Sequence, residues 1–140
     1  MIQKAACLLL MGLILAPVAA MAQNAGKEKA AVSAAEKWLG LVDKAEYGAS
    51  WKESASYFRG RITEPKWAEM AKGVRGPLGN LDSRKLANET YKSSLPGAPD
   101  GEYVIMQFDA SFANKKSAVE TVTAVMDKDG AWRVAGYFIR

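Results

Sequence analysis

Histidine is absent from this 140-residue chain, and cysteine occurs once, at position 7. The first absence removes a histidine-based triad, a histidine-ligated metal and the commonest general base near neutral pH. The second leaves no disulfide, and no thiol chemistry beyond the N-terminal apolar run that holds Cys7. A phosphate-binding glycine loop is missing too. Gly73, Gly76 and Gly79 close a helical pattern beside Pro77 and do not follow a strand. Asp127-Lys128-Asp129-Gly130 is too short for a calcium loop. An excess of one charge sign is small: 19 basic against 15 acidic side chains, net +4 and spread along the chain. That balance favours solubility and does not argue for nucleic acid. The sequence therefore calls for no metal, no cofactor and no nucleic-acid partner.

What is present begins with a three-part N-terminal pattern. Lys4 supplies a positive n-region, Ala5–Val18 is apolar, and Ala20-Met21-Ala22 is a small-x-small cleavage site. This predicts a signal peptide over residues 1–22, and a periplasmic or secreted protein. The apolar run is shorter than the roughly 18 residues a spanning helix needs. Cleavage would remove one positive charge, Lys4, and leave a chain long enough for one domain with one core. Residues 23–30 are expected as a flexible tail, and residues 31–140 as a single α+β domain.

About three helices are expected first. Ala31, Ala34/Ala35, Trp38, Leu41/Val42 and Ala45 recur at helical spacing and predict a helix from about Lys27 to Ala45. Ser50 with Glu53 has capping-box spacing, followed by a stripe of Trp51, Ser54/Ala55 and Phe58. Thr63-Glu64-Pro65 is a helix start, with Trp67, Met70/Ala71 and Val74 as its buried stripe. A strand over Arg84–Leu95 and a Pro/Gly loop over 96–101 come next.

Three further strands follow, separated by reversals near Lys115-Lys116 and at Asp129-Gly130. Two-residue loops at those positions would pair Met106 with Val125, Phe112 with Val119, Thr121 with Phe138 and Val125 with Val134. The helix-facing side would then hold Met106, Phe108, Ala110, Phe112, Val119, Val125, Val134 and Phe138. The opposite face would hold Ile105, Asp109, Glu120, Val122, Met126, Arg133, Ala135, Tyr137 and Ile139. The expected fold is thus helices on one face of a four-stranded antiparallel curved sheet, cone-like.

Several phrases carry a resemblance: Trp38-Leu39 within Ala35–Asp43, Ser50-Trp51, Tyr57-Phe58, Arg75 through Leu78-Gly79, Ser83-Arg84, Leu95-Pro96-Gly97, Pro99 through Tyr103, Phe112 with Asn114-Lys115, and Asp129-Gly130 through Trp132 to Gly136-Tyr137. Together they resemble the domain of unknown function 4019 family of small exported bacterial proteins. The resemblance covers most of the chain beyond the signal peptide, and implies no catalytic residues. The architecture is similar to the nuclear-transport-factor-2-like and cystatin-like superfold, which hosts enzymes, binding proteins and dimerisation modules.

Two sets of residues are candidate sites. Trp51, Tyr57, Phe58, Trp67 and Phe108 would line a pocket between helices and sheet, or fill the core there. Asp109, Glu120, Val122, Arg133, Tyr137 and Ile139 would form an interface on the uncovered sheet face, with the acids in ion pairs or, for an enzyme, in acid/base roles. Asn114-Lys115-Lys116, and Arg84 with Lys85, are basic points for an acidic partner or simply hydrated charges. The functions in view are a non-enzymatic binding or dimerisation module that self-associates through the sheet or takes a small ligand, a small enzyme using a pocket carboxylate or tyrosine, and an envelope peptide-binding module using the first strand as an open edge.

Overall fold

The computed structural model describes residues 16–140, with side chains from Val18 onward. Four helices precede four strands: α1 Ala16–Asp43, α2 Tyr47–Glu53, α3 Ser56–Arg61, α4 Glu64–Arg75, β1 Leu81–Lys92, β2 Tyr103–Phe112, β3 Lys115–Met126 and β4 Trp132–Ile139. The strands form one open antiparallel sheet in the order β1-β2-β3-β4. Among the described residues no helix is long and apolar enough to cross a membrane.

The α1 stripe is as its spacing predicts: Ala31, Ala35, Trp38 and Val42 are buried, with Leu39 beside them. They meet Val104, Met106 and Phe108 of β2, Val122 and Ala124 of β3, and Val134 of β4 in one core. Of the expected signal peptide, residues 1–15 lie outside the described residues, and Ala20–Ala22 fall within α1. Residues 23–30, expected as a loose tail, are helical. The physical reason lies at Lys27 and Glu28. Lys27 pairs with Glu102 and lies 5.1 Å from the Tyr91 ring centroid, and the Glu28 carboxylate accepts the Tyr91 backbone N–H at 3.0 Å.

The second expected helix is two short ones. Ser50 is not its N-cap but a buried residue inside α2, holding two indoles. The Trp67 Nε1–H donates to Ser50 Oγ at 2.9 Å. The Trp38 Nε1–H donates to Ser50 O and Ser54 Oγ, both at 2.9 Å. The chain then breaks at Ser54-Ala55, where the Ala55 N–H donates to Val134 O at 2.8 Å and ties the α2–α3 junction to β4. In α4, Thr63 takes the N-cap place with no side-chain cap bond. Its buried stripe is Trp67, Ala71 and Arg75, a strict four-residue spacing. Met70 and Val74, expected inside, are 49% and 47% exposed.

The sheet register differs from expectation in a way that reverses one strand. The first reversal is Ala113-Asn114, with Phe112 opposite Lys115. Lys-Lys has no turn chemistry, whereas this turn is held from outside. The Asn114 N–H donates to Leu78 O, the Ala113 N–H to Asn80 O, both at 2.9 Å, and the Asn114 amide to Pro77 O at 3.0 Å. A bulge follows, in which Ser111 opposes Lys116 and Ser117 together. The net slip is odd, so β3 presents the other parity inward. Met106 faces Val122, Phe108 faces Glu120 and Ala110 faces Ala118. Glu120 and Val122, expected on the open face, are fully buried under the helices. Val119 and Val125, expected inside, are half-buried on the other face.

The second hairpin turns through Lys128-Asp129-Gly130, one residue more than the expected Asp129-Gly130 loop, with the Asp127 N–H donating to Ala131 O at 2.9 Å. Val134 therefore faces Ala124 instead of Val125, and a bulge at Ala135 restores the expected pairing of Thr121 with Phe138. Gly130 occupies this turn at φ +82°, where a side chain would be strained.

Candidate functional site

Register places charged groups inside. Arg84 alternates with Leu86 on the inner face of β1, Glu120 stands between Ala118 and Val122 on β3, and Arg75 continues the buried stripe of α4. Asp43 closes α1. These four and Tyr137 meet in one network. The Arg84 guanidinium donates to both Asp43 oxygens, at 2.7 and 2.9 Å, and to both Glu120 oxygens, at 2.6 and 3.2 Å. Arg75 donates to Asp43 at 2.7 Å and lies over the Phe112 ring at 4.8 Å. The Tyr137 hydroxyl donates to Glu120. Two cations and two anions therefore neutralise one another between α1, α4 and the sheet. Arg75 Nε and Nη1 are the buried side-chain donors without a hydrogen-bond partner among the described residues.

The electrostatics follow from this packing. Burial would raise the Asp43 carboxyl, but hydrogen bonds from Arg84 and Arg75 outweigh it and hold the group below its ordinary value. Burial opposes the Arg84 charge, and the two carboxylates more than restore it. Burial, then the Glu120 charge, pushes the Tyr137 phenol well above its ordinary value, so it stays protonated. Both acids accept hydrogen bonds from Arg84, and the phenol donates to Glu120.

The expected pocket residues are packed instead of spread around a void. Trp67 lies 5.7 Å from Trp38 and takes the edge of Phe58 at 5.1 Å, and Trp38 meets Tyr137 at 5.4 Å. Trp51 is half-buried and donates to Ile62 O at 2.8 Å. Phe108 is 1% exposed. Tyr57 stands apart from this cluster, under the Arg61 guanidinium at 4.8 Å.

The expected interface residues are dispersed. Asp109 is exposed on the outer face, opposite Lys85 of β1. Glu120, Val122 and Tyr137 belong to the interior, and Ile139 packs against Ala110, Phe112 and Ala118. Arg133 braces the last hairpin, donating to Asp127 at 3.2 Å and twice to Asp129 at 2.7 Å. Those bonds lower the Asp129 carboxyl to about 2. Of the basic points, Lys116 bonds to Asp82 at 2.8 Å, and Arg84 is the centre of the buried network.

The concave surfaces lie at the margin of the fold. A groove of about 370 Å³ runs between α1 and the start of β4, over Trp38 and Leu41 and beside Trp132. A second, about 260 Å³, runs between α4 and the end of β4 and is lined by Trp67, Met70, Ala71, Val74, Tyr137, Phe138 and Ile139. Every lining residue of the second is apolar or aromatic. Beyond Val18 and Met21 in the first turns of α1, Met70, Val74 and Phe138 are the exposed large hydrophobics among the described residues, Phe138 at 61%. Sequence reasoning assigned all three to the core. Their helical and strand periodicities were real, but α4 is turned so that Arg75 occupies the inner line, and Phe138 lies opposite Thr121 on the sheet face away from the helices.

A family described as a protein of unknown function (DUF4019) matches residues 34–137. No curated protein matches the chain.

Proposed function

We propose that this chain, which belongs to the DUF4019 family, is an exported, non-enzymatic binding or dimerisation module that makes its contacts through the groove between α4 and β4. The observation that carries the reading is the all-apolar lining of this groove, in which Met70 and Val74 are each about half exposed and Tyr137 and Ile139 form the floor beside the exposed edge position Phe138. Contiguous exposed apolar surface of this kind marks an interaction site. The non-enzymatic side is supported by the state of the buried acids: Asp43 and Glu120 are both hydrogen-bonded to Arg84. Export is supported by the N-terminal pattern of Lys4, the apolar run and Ala20-Met21-Ala22.

The groove is tested with a fluorescent apolar probe such as bis-ANS at sub-micromolar protein. Saturable binding is expected, and Val74→Glu should weaken it at least tenfold while leaving the circular dichroism spectrum unchanged. Absent probe binding, or equal binding by the variant, overturns the groove as the contact surface. Export is tested separately by the intact mass of protein recovered outside the cytoplasm. It should begin at Gln23, and a chain that stays inside with Met1 intact overturns export.

A further inference from the structure

The strand edge beside this groove points to the occupant. Val119 and Arg140 exchange both backbone hydrogen bonds, at 2.9 and 3.1 Å. Antiparallel pairs alternate between bonded and non-bonded positions. Phe138, opposite Thr121, therefore turns its N–H and C=O toward β3, and Tyr137 and Ile139 turn theirs to the open edge. The first half of this edge is used within the chain, where Val134 O accepts the Ala55 N–H. The second half carries no proline, and its bulge lies upstream at Ala135.

The other edge is defended. β1 is bulged at Asp82 and at Ala87, carries Asp82, Lys85, Glu89 and Lys92, and has the Tyr91 N–H taken by Glu28. Bulges and charges are the usual means of keeping an edge from pairing. The contrast leaves β4 as the edge open to addition.

We propose that the occupant is a second copy of this chain, joined by antiparallel pairing of β4 with itself about a two-fold axis at Phe138. This rests on the groove being a contact surface. In that register Tyr137 and Ile139 exchange main-chain bonds with each other's symmetry mates, and Phe138 stands opposite Phe138. Gly136 meets Arg140, so no like charges face one another, which is the charge condition a self-pairing edge must meet. The two four-stranded sheets become one of eight, within the usual range for open sheets. An isologous contact of this kind is the commonest form of oligomer.

A second observation fits the same occupant. Gly73 sits on the flank of α4 shared by Met70 and Val74, and a Cβ added there meets nothing within 4 Å. The helix forgoes about 1 kcal/mol of helix propensity at this position relative to alanine, with no internal contact requiring it. Its bare surface admits close approach by another chain.

The test is sedimentation equilibrium of the purified protein from roughly 1 to 300 micromolar, a range spanning weak to moderate affinities. The mass should rise from one copy toward two. Phe138→Lys, an edge-blocking charge, and Gly73→Gln, which fills space open in the single chain, should each weaken association at least tenfold without lowering the melting temperature measured at the dilute end of the range, where the wild type is a single copy. A wild-type monomer at the top concentration overturns self-pairing. If apolar-probe binding persists in that monomer, the groove stands and its occupant is an extended peptide; if it is lost too, both readings fall. Dimers unaffected by both substitutions place the contact elsewhere and overturn the proposal.

Discussion

Replacing Arg84 with alanine is expected to destabilise the protein by about 3–5 kcal/mol, the usual cost of removing one partner of a buried ion pair. One guanidinium serves two carboxylates here, Asp43 and Glu120, and Glu120 is fully buried. Loss of Arg84 leaves Arg75 alone against Asp43 and Tyr137 alone against Glu120. Arg84→Lys should recover only part of the loss, because an ammonium cannot match two carboxylates in fork geometry. Asp109→Ala, on the exposed outer face, should stay within about 0.5 kcal/mol of wild type. The measurement is urea unfolding at pH 7, and an Arg84→Ala midpoint equal to that of wild type would contradict the network's role. The effect has a pH signature. The Asp43 carboxyl is depressed below 3.8 in the folded chain, so on acidification the unfolded chain takes up that proton first. The stability that Arg84 confers through Asp43 is present above about pH 4 and fades as pH falls through the folded value. That part of the gap between wild type and Arg84→Ala should close in acid.

Truncation of Trp38 to alanine should cost about 4 kcal/mol, in the range for a buried tryptophan. Trp38 is 2% exposed, packs on Trp67 and Tyr137, and bonds Ser50 O and Ser54 Oγ. It therefore joins α1, the α2 turn, α4 and β4 in a single side chain. Trp38→Phe keeps most of the packing and loses the N–H, so a cost nearer 1–2 kcal/mol is expected. Thermal or urea unfolding measures both. A Trp38→Ala loss below about 1 kcal/mol would mean that the aromatic cluster is not the keystone of the helical layer. Against a typical domain stability of 5–15 kcal/mol, either alanine variant removes a large share.

These two residues also show how much could be read before the fold was known. Trp38 was legible because helical periodicity is a local property: Ala31, Ala35, Trp38 and Val42 fall on one line of α1 whatever it packs against. The alternation of β2 and the Asp-Gly reversal were legible for the same reason. Arg84 and Glu120 were not recognised as interior residues. A signal for them existed: Glu120 shares parity with Ala118, Val122 and Ala124, and Arg75 lies four residues beyond Ala71 on the line from Trp67. Charges on apolar lines imply buried partners. Using that signal required the register, and the register depends on a turn held by Leu78, Asn80 and Pro77 from the α4–β1 connection.

The sequence by itself therefore determined the α+β order, the α1 core stripe, the alternation of β2 and the absence of histidine. Tertiary structure decided which face of β3 turns inward and how α4 is rotated. Both outcomes rest on contacts between distant segments, one residue of slip in a period-two strand and one position of rotation about a helix. Those two decisions moved Glu120 and Val122 inside, turned Phe138 to the outer face of the sheet edge, and brought Met70 and Val74 out to the groove beside it.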